Sequence, residues 1–371
     1  MKTIPLSMPD ITDLEINSVI EVLKSPNLSR AKKTEEFEQK LAELTNHKYA
    51  IAVNSGTSAL HLCVRSLGLK DGDEVITTPF SFIASSNCLL MEKVKPVFVD
   101  IDERTYNLKP ELIESNITSK TKAILVVDVF GFPADMKRIN EIAKKHNLFV
   151  IEDSCEALGT KKDGIPAGSQ ADVATFAFYP NKQITTGEGG AIVTSNEKFA
   201  KLCRSMRNQG RPETGEWLTY ERMGYNYWID EMSSALGLAQ LSRLSEILEK
   251  RSSVAEKYLS KLKDVQGIIL PHIDKSVEIS WFVFTIRVNE KIREKLMKYL
   301  QENGIQCRAY FYPPIHLQDF YKEQFGLNEG DFPITEQVSK ETISIPFYNN
   351  LSEEDINTVV LKLKEGVNKL K

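Results

Sequence analysis

Lys182 stands in "YPNKQITTGEGG" (residues 179–190), between an aromatic, strand-like run and a turn of small residues. A lysine so placed is either a solvated loop cation or an amine that has to reach one fixed point inside a pocket. Three further stretches bear on that choice. In "VNSGTSALHL" a strand gives way to Ser55, Gly56, Thr57 and Ser58, which open a helix. The free N–H groups and partial positive charge of a helix N-terminus suit a phosphate, although Ser and Thr also serve there as plain caps. In "PFSFIAS", Phe82 follows directly on a strand, as either a core aromatic, the commoner fate, or a platform for a planar ligand. "FVIEDSCEALG" ends an apolar strand on Glu152 and Asp153. A buried carboxylate is costly unless paired, and alternation lets only one of two adjacent acids face a given ligand. The other reading of Asp153 is a helix cap.

The elements that must position these residues follow from periodicity. "TEEFEQKLAELT" has helical spacing, with Phe37, Leu41 and Leu44 on one face. Thereafter apolar runs alternate with helical stretches. "YAIAV" (49–53) precedes "TSALHLCVRSLGL", "EVITT" (74–78) precedes "FIASSNCLLMEK", and "KPVFVD" leads towards "KPELIESNI". "KAILVVDVF" leads towards "MKRINEIAKKHN", and "LFVIED", "DVATFAFY" and "GAIVTS" follow. Strands rich in Val, Ile and Phe, separated by helices, predict an α/β fold with a mostly parallel sheet covered on both faces. Ligands sit at the carboxyl ends of such strands, where all four stretches fall. From Tyr227 the pattern changes to long helix, with a break expected near Gly237, and then to a smaller α+β unit.

Composition narrows the classes. At 371 residues the chain suits two unequal domains, expected at 1–245 (large, ligand-binding) and 246–371 (small, C-terminal). A formal net charge of −4 and scattered Lys and Arg give no reason to expect nucleic-acid binding. Five widely spaced cysteines without a CxxC pair suggest neither a disulfide framework nor a zinc site, and no HxxxH or HExxH is present. The first residues do not read as a signal peptide, and no stretch reaches the roughly 18 to 20 apolar residues of a membrane span. A cytoplasmic protein without membrane or metal is the expectation.

A phosphate cradle, a stacking aromatic, an acid and a lysine are together the parts needed to hold pyridoxal 5′-phosphate. Lys182 would form the Schiff base to the aldehyde and Asp153 would pair with the ring nitrogen. Opposite charge within hydrogen-bond reach shifts a pKa by about 1–3 units, enough to keep a weakly basic pyridine protonated. The displaced lysine amine is then placed to move a proton.

At this point the chain resembles the DegT/DnrJ/EryC1/StrS group of sugar aminotransferases. The resemblance runs from "IPLSMPDI" through "SGTSALHL", "GDEVITTPFSFIASSN", "GFPADM", "IEDSCEALG" and "FYPNKQITTGEGGAIVT" to "RMGYNYWIDEMSSALGLAQL" and "AYFYPPIHLQDFY". It implies a fold-type I PLP-dependent transferase whose large domain has a mostly parallel seven-stranded sheet. Carried over by position, Lys182 matches the Schiff-base lysine, Asp153 the ring-nitrogen partner and Phe82 the stacking aromatic. Thr57 and Ser58 match the phosphate-binding turn, and Glu156 stands near the cofactor's 3-hydroxyl. Asn226 matches an asparagine that reaches the phosphate from a neighbouring subunit, which implies a homodimer with shared active sites. Tyr312 and His316 lie in the segment that faces substrate in relatives.

Three positions depart from the pattern: Ala177 replaces a serine that contacts the phosphate, Glu156 a glutamine, and Trp228 the arginine of "GYNYR". The implied reaction is transfer of an amino group from L-glutamate to a nucleotide-linked 4-keto-6-deoxy sugar, in amino-sugar or polysaccharide biosynthesis. A 3-keto-sugar or aminocyclitol substrate stays open. The dehydrating relatives carry histidine in place of the lysine, so Lys182 argues against them. A non-catalytic regulatory relative would have damaged an essential position, and Lys182 and Asp153 are both present.

Overall fold

The computed structural model describes residues 3–214 and 218–370. Helix α1 (Asp13–Leu23) is started by a capping box, in which Thr12 accepts the Leu14 N–H and Glu15 accepts the Thr12 N–H. Helix α2 (Lys32–Leu44) follows, with Phe37 and Leu41 fully buried. Strands β1 (Tyr49–Val53), β2 (Glu74–Thr77), β3 (Lys95–Phe98), β4 (Thr121–Val127) and β5 (Phe149–Asp153) then alternate with helices. These are α3 (Gly56–Ser66), α4 (Ala84–Leu90) and α5 (Met136–His146). A short ribbon, β6 (Lys161–Lys162) and β7 (Ile165–Pro166), precedes β8 (Val173–Ala177), β9 (Gly190–Thr194) and helix α6 (Glu197–Arg207).

The seven long strands form one sheet in the order β1-β9-β8-β5-β4-β2-β3. The run from β8 to β3 is parallel, whereas β9 is antiparallel to both neighbours. Alternation assigns the faces. Ile51, Val53, Leu125, Val127, Ile151 and Ile192 pack with α3 and α6 on one side. Ala50, Ala52, Phe176 and Val193 pack with Phe37 and Leu41 on the other, where Ile124, Val126 and Val150 also meet α5. "KPELIESNI" forms two 3₁₀ turns, Pro110–Leu112 and Glu114–Asn116, rather than an α-helix. The Ser115 and Asn116 side chains both donate to the Leu112 carbonyl and compete for a helical acceptor.

Helix α7 (Glu231–Ser242) runs unbroken through Gly237. A Cβ there would lie 2.7 Å from the Phe37 ring, so this glycine allows close packing on α2 instead of ending a helix. The break comes at Arg243, ahead of α8 (Leu244–Leu262). Leu244 and Ile247 of α8 pack under the large sheet, while Val254, Tyr258 and Leu262 enter a second core. The expected boundary at 245/246 therefore falls inside a helix that spans both cores.

The second core is built on β10 (Ile268–Ile269), β12 (Phe284–Val288) and β13 (Thr342–Ile345), covered by α9 (Glu290–Glu302) and α12 (Glu353–Leu370). Ile4, far away in sequence, is bridged to Ile305 and buried in this core. Strand β11 (Val277–Glu278) extends the β6/β7 ribbon. Helices α10 (Asp319–Phe325) and α11 (Pro333–Glu341) return to the large sheet: Ile315 and Tyr321 pack on Phe98, and Ile315 N–H donates to Pro79 O at 2.9 Å. No helix among the described residues is long and apolar enough to cross a membrane.

Candidate active site

Alternation along β5 sorts the two acids. Asp153 shares the face of Ile151, below α4, where Ser85 Oγ donates to its Oδ2 at 2.6 Å and the Cys155 N–H donates to Oδ1 at 3.2 Å. Ser85 is held by Ser81, 2.8 Å away. Glu152 faces the opposite side and accepts the Gly168 N–H at 2.7 Å. Its other oxygen, Oε2, is buried without a hydrogen-bond partner among the described residues, near the equally buried Asp128. Burial and then the charge of Asp128 push the Glu152 carboxyl well up, and burial and then the charge of Asp153 bring Asp128 up to about 6.

The turn carrying Lys182 is tied at several points. The Lys182 N–H donates to Tyr179 O and the Thr186 N–H to Phe178 O, both at 2.9 Å. The Gln183 amide donates to the Glu156 carbonyl at 2.6 Å and to Ser280 Oγ at 2.8 Å. Fixed in this way, the side chain of Lys182 brings its Nζ to 3.9 Å from the centre of the Phe282 ring and 3.5 Å from Glu156 Oε1. The other Glu156 oxygen accepts the Phe130 N–H at 2.8 Å. Burial raises the Glu156 carboxyl against the opposing pull of Lys182, and Asp153 adds to the rise. Lys182 thus lies directly against the buried Glu156 carboxyl, and the charge of Asp153 acts on that same carboxyl.

Helix α3 supplies the third part. Its N-cap Ser55 takes the Ser58 N–H at 3.1 Å, and Ser58 Oγ donates to Asn54 Oδ1 at 2.7 Å. The Ser58 hydroxyl is thereby committed inside the cap. Half-buried Thr57 is the hydroxyl beside the first helical N–H groups, which have no intrahelical partner. Ala177, at the end of β8, lies against this terminus, since a Cβ on Gly56 would sit 2.8 Å from the Ala177 Cβ. The glycine turn after Lys182 has a related cause. A Cβ on Gly190 would lie 2.6 Å from the Ser55 carbonyl carbon and oxygen, so β9 passes against the cap of α3 and its closeness is to backbone, not to a ligand.

Phe82 is 62% exposed, which removes the core alternative and leaves its ring available to a planar ligand. Phe80 fills the core instead, with its ring against Tyr106, Phe130 and Phe311. Asn226 is exposed on an extended segment bridged to Asn208, between the stacked rings of Tyr225 and Tyr227. Tyr312 is half exposed, with the Arg293 guanidinium 4.3 Å from its ring centre. His316 is fully buried, its Nε2 3.1 Å from Glu336 Oε1 and its ring edge-on to Phe332. A histidine without exposed surface cannot touch a substrate, and burial also holds its imidazole below the usual range. Its expected substrate contact is withdrawn.

Sequence reasoning missed Ser85, Gln183, Phe282 and Tyr310. The Tyr310 ring lies 6.3 Å, centre to centre, from that of Phe130, whose N–H binds Glu156, and burial and then the Glu156 charge raise its hydroxyl. Gln183 adjoins Lys182 and Ser85 lies in the stretch already singled out, but neither Phe282 nor Tyr310 carried a local signal.

The arrangement fits pyridoxal phosphate. An amine and a carboxylate share a buried recess, an unpaired aromatic face is open to stacking, and uncapped N–H groups lie where no side chain at Gly56 blocks them. Ala177 offers no hydroxyl, so the groups beside this helix terminus that could hold a phosphate are Thr57 and backbone N–H groups.

Known proteins resemble this chain along nearly its whole length. The profile of the DegT/DnrJ/EryC1/StrS aminotransferase family matches residues 9–364. GDP-perosamine synthase of Escherichia coli O157:H7 is 35% identical, over 98% of this chain and 99% of its own. The solved structure of S. venezuelae DesV superposes with a TM-score of 0.91 at 31% identity, covering 98% of each chain. Helicobacter pylori PseC, an aminotransferase involved in pseudoaminic acid biosynthesis, gives 0.94 at 29% identity, over 99% of this chain and all of that one.

Proposed function

The chain belongs to the DegT/DnrJ/EryC1/StrS aminotransferase family and is a pyridoxal-phosphate-dependent sugar aminotransferase of amino-sugar biosynthesis; on that premise we propose that it carries an amino group from L-glutamate to a nucleotide-linked 4-keto-6-deoxy sugar. The observation that supports the reading is the Lys182 amine, held 3.5 Å from the buried Glu156 carboxyl, on which the Asp153 charge also acts. A nucleotide-linked acceptor is supported by the relative named for a GDP-sugar. L-Glutamate is the donor that the resemblance implies.

When bound, the cofactor supplies the electron sink that makes a proton on the substrate carbon removable. The rest of the work belongs to the chain. Asp153, oriented by Ser85 and the Cys155 N–H, holds the proton of the ring nitrogen. Lys182 Nζ would hold the cofactor at its aldehyde carbon and, as a free amine, would take the proton from the donor's α-carbon. In the second half it moves the reverse proton to the sugar carbon. Glutamate leaves as 2-oxoglutarate in the first half, and the sugar ketone receives the amine in the second. Phe82 covers one ring face. Asn226 completes the phosphate site of a partner subunit, so the working unit is a homodimer with shared sites, and Tyr312 stands at the rim where the sugar enters.

The test is the visible absorbance of purified protein with pyridoxal phosphate. L-Glutamate should bleach the band and a nucleotide-linked 4-keto-6-deoxy sugar should restore it. A band that L-glutamate leaves unchanged removes the donor, and a protein that gives no band with the cofactor removes Lys182.

A further inference from the structure

Two groups of different kinds lie against the Lys182 amine: the Glu156 carboxyl at 3.5 Å, and the face of the Phe282 ring, whose centre is 3.9 Å from Nζ. Phe282 is buried, and an ammonium over an aromatic face is held most strongly where water is excluded. The backbone that delivers this ring is strained. Trp281, just before it, has φ of 49°, a left-handed conformation that is costly for a bulky side chain and persists only where its surroundings impose it. Arg251 of α8 is placed to impose it. Its Nε–H donates to the Trp281 carbonyl at 2.6 Å and one terminal N–H to the Phe282 carbonyl at 2.7 Å, while another donates to Asn349 Oδ1 at 2.9 Å.

Arg251 is buried, and no carboxylate pairs with it among the described residues. Burial lowers its guanidinium to about 10. An uncompensated buried cation is costly, and an apolar side chain would fill the same space at less cost. What the guanidinium adds is a rigid fork that fixes two successive carbonyls. The turn is tied from its other side as well. The Ser280 N–H donates to Thr160 Oγ1 at 3.0 Å, and Ser280 Oγ takes the amide of Gln183, the neighbour of Lys182. Gly131 closes on the same turn, since a Cβ there would lie 3.4 Å from the Phe282 nitrogen.

We propose that Phe282 is a further catalytic residue of this site, its ring face the seat of the Lys182 ammonium whenever that nitrogen is free of the cofactor, and that Arg251 is the positioning residue that sets the ring. The proposal rests on Lys182 being the lysine that holds the cofactor. When the amine takes a proton from a substrate carbon, the C–H bond breaks, its electron pair stays with the substrate, and an N–H bond forms. Positive charge then develops on the nitrogen that the ring faces. The proton leaves Nζ again when it is delivered to the next carbon, and Phe282 exchanges nothing. The negative face of the ring stabilises only the charged form of that nitrogen. It therefore favours uptake of a proton by the amine and opposes reaction of the uncharged amine with an aldehyde.

Two rates read this in opposite directions, in wild type, Phe282→Leu and Phe282→Tyr. The first is formation of the visible band when pyridoxal phosphate is added to the cofactor-free chain, a step that needs the uncharged amine. Phe282→Leu should speed it by about 3- to 10-fold. The second is single-turnover reaction of the holoenzyme with L-glutamate, which Phe282→Leu should slow by about the same factor. Phe282→Tyr keeps the ring face and should leave both near wild type. A ring that only fills space would, on replacement by leucine, slow both steps or change neither, and either result overturns the proposal. A tyrosine variant that behaves as the leucine one does the same. Arg251→Lys keeps the charge and loses the fork. It should shift both rates in the directions of Phe282→Leu, and add nothing in a chain that already carries that substitution. Effects that multiply in the double variant overturn the positioning role. A wild-type chain that forms no band removes Lys182 and this proposal with it, whereas a band that forms equally fast in Phe282→Leu removes the proposal and leaves Lys182 in place. If L-glutamate bleaches none of the proteins, the donor is wrong and the first rate still decides.

Discussion

The Nζ of Lys182 lies 3.5 Å from Oε1 of Glu156, a carboxyl whose other oxygen is occupied by the Phe130 N–H. A negative charge at that distance stabilises positive charge on the nitrogen that stands there, and burial works against the carboxyl being ionised. Glu156→Gln keeps an acceptor for Phe130 and removes the charge. In the holoenzyme, the pH titration of the cofactor's visible band should move down by about one unit in the variant. Coincident titration curves would mean that the Glu156 proton stays in place across the range and that its charge does not act on the site.

Asp153 and Ser85 should separate into a large and a small effect. Asp153→Asn removes the charge expected to hold the ring-nitrogen proton, and amination should fall by about 10²–10⁴-fold. Ser85→Ala deletes one 2.6 Å hydrogen bond to a carboxylate that keeps its Cys155 N–H. Its loss should be nearer 10-fold, in line with about 1.5 kcal/mol for a hydrogen bond to a charged group. Single-turnover rates with L-glutamate measure both, and equal losses would contradict the division between a residue that touches the cofactor and one that orients it.

How far these residues were legible follows from where their partners lie. The limits of β1 and β5 and the sites of Lys182 and Asp153 could be read because apolar alternation ends abruptly on polar residues. Ser85 reaches Asp153 across 68 positions, and Phe282 meets Lys182 from beyond the long helix α8, so only the topology brings them in. For Phe82 the sequence leaves core and ligand-facing readings open, because whether it is buried depends on where the chain leaves β2, at Thr77, and turns before it. Gly237 was misread because the cause of a glycine inside a helix was Phe37, about 200 residues upstream. His316 looked available until Glu336 and Phe332, on a later turn, were seen to enclose it.

Two glycines of the turn after Lys182 should behave differently on gaining a methyl group. Gly187 has φ of 80° with open space around it, so Gly187→Ala carries only the backbone cost, about 1 kcal/mol. Gly190→Ala would drive a Cβ into the Ser55 carbonyl and the Gly56 N–H, all backbone that cannot swing aside. It should cost upwards of about 2 kcal/mol and weaken pyridoxal phosphate binding, because the cap of α3 has to move. Thermal melts with and without cofactor distinguish the two, and a Gly190→Ala protein with wild-type cofactor affinity would detach this contact from the phosphate site.

The buried Asp128–Glu152 pair predicts a particular pH dependence of stability. Both carboxyls are raised by burial first, Asp128 up to about 6 from its ordinary 3.8; the charge of Asp128 adds to the rise of Glu152, and that of Asp153 to the rise of Asp128. The folded state therefore holds more protons than the unfolded chain in this range. The stability associated with the pair is fully present below about pH 4 and is lost as pH rises through the raised values. Glu152→Gln keeps an acceptor for the Gly168 N–H, offers an amide donor to Asp128, and carries no second charge. Relative to wild type, the variant should gain at pH 8 by about 1–3 kcal/mol over its standing at pH 5. Melting temperatures of both proteins at the two pH values test this directly. A difference between variant and wild type that is the same at pH 5 and pH 8 would show that the pair does not exchange its proton there, and that Glu152 matters through its hydrogen bonds alone.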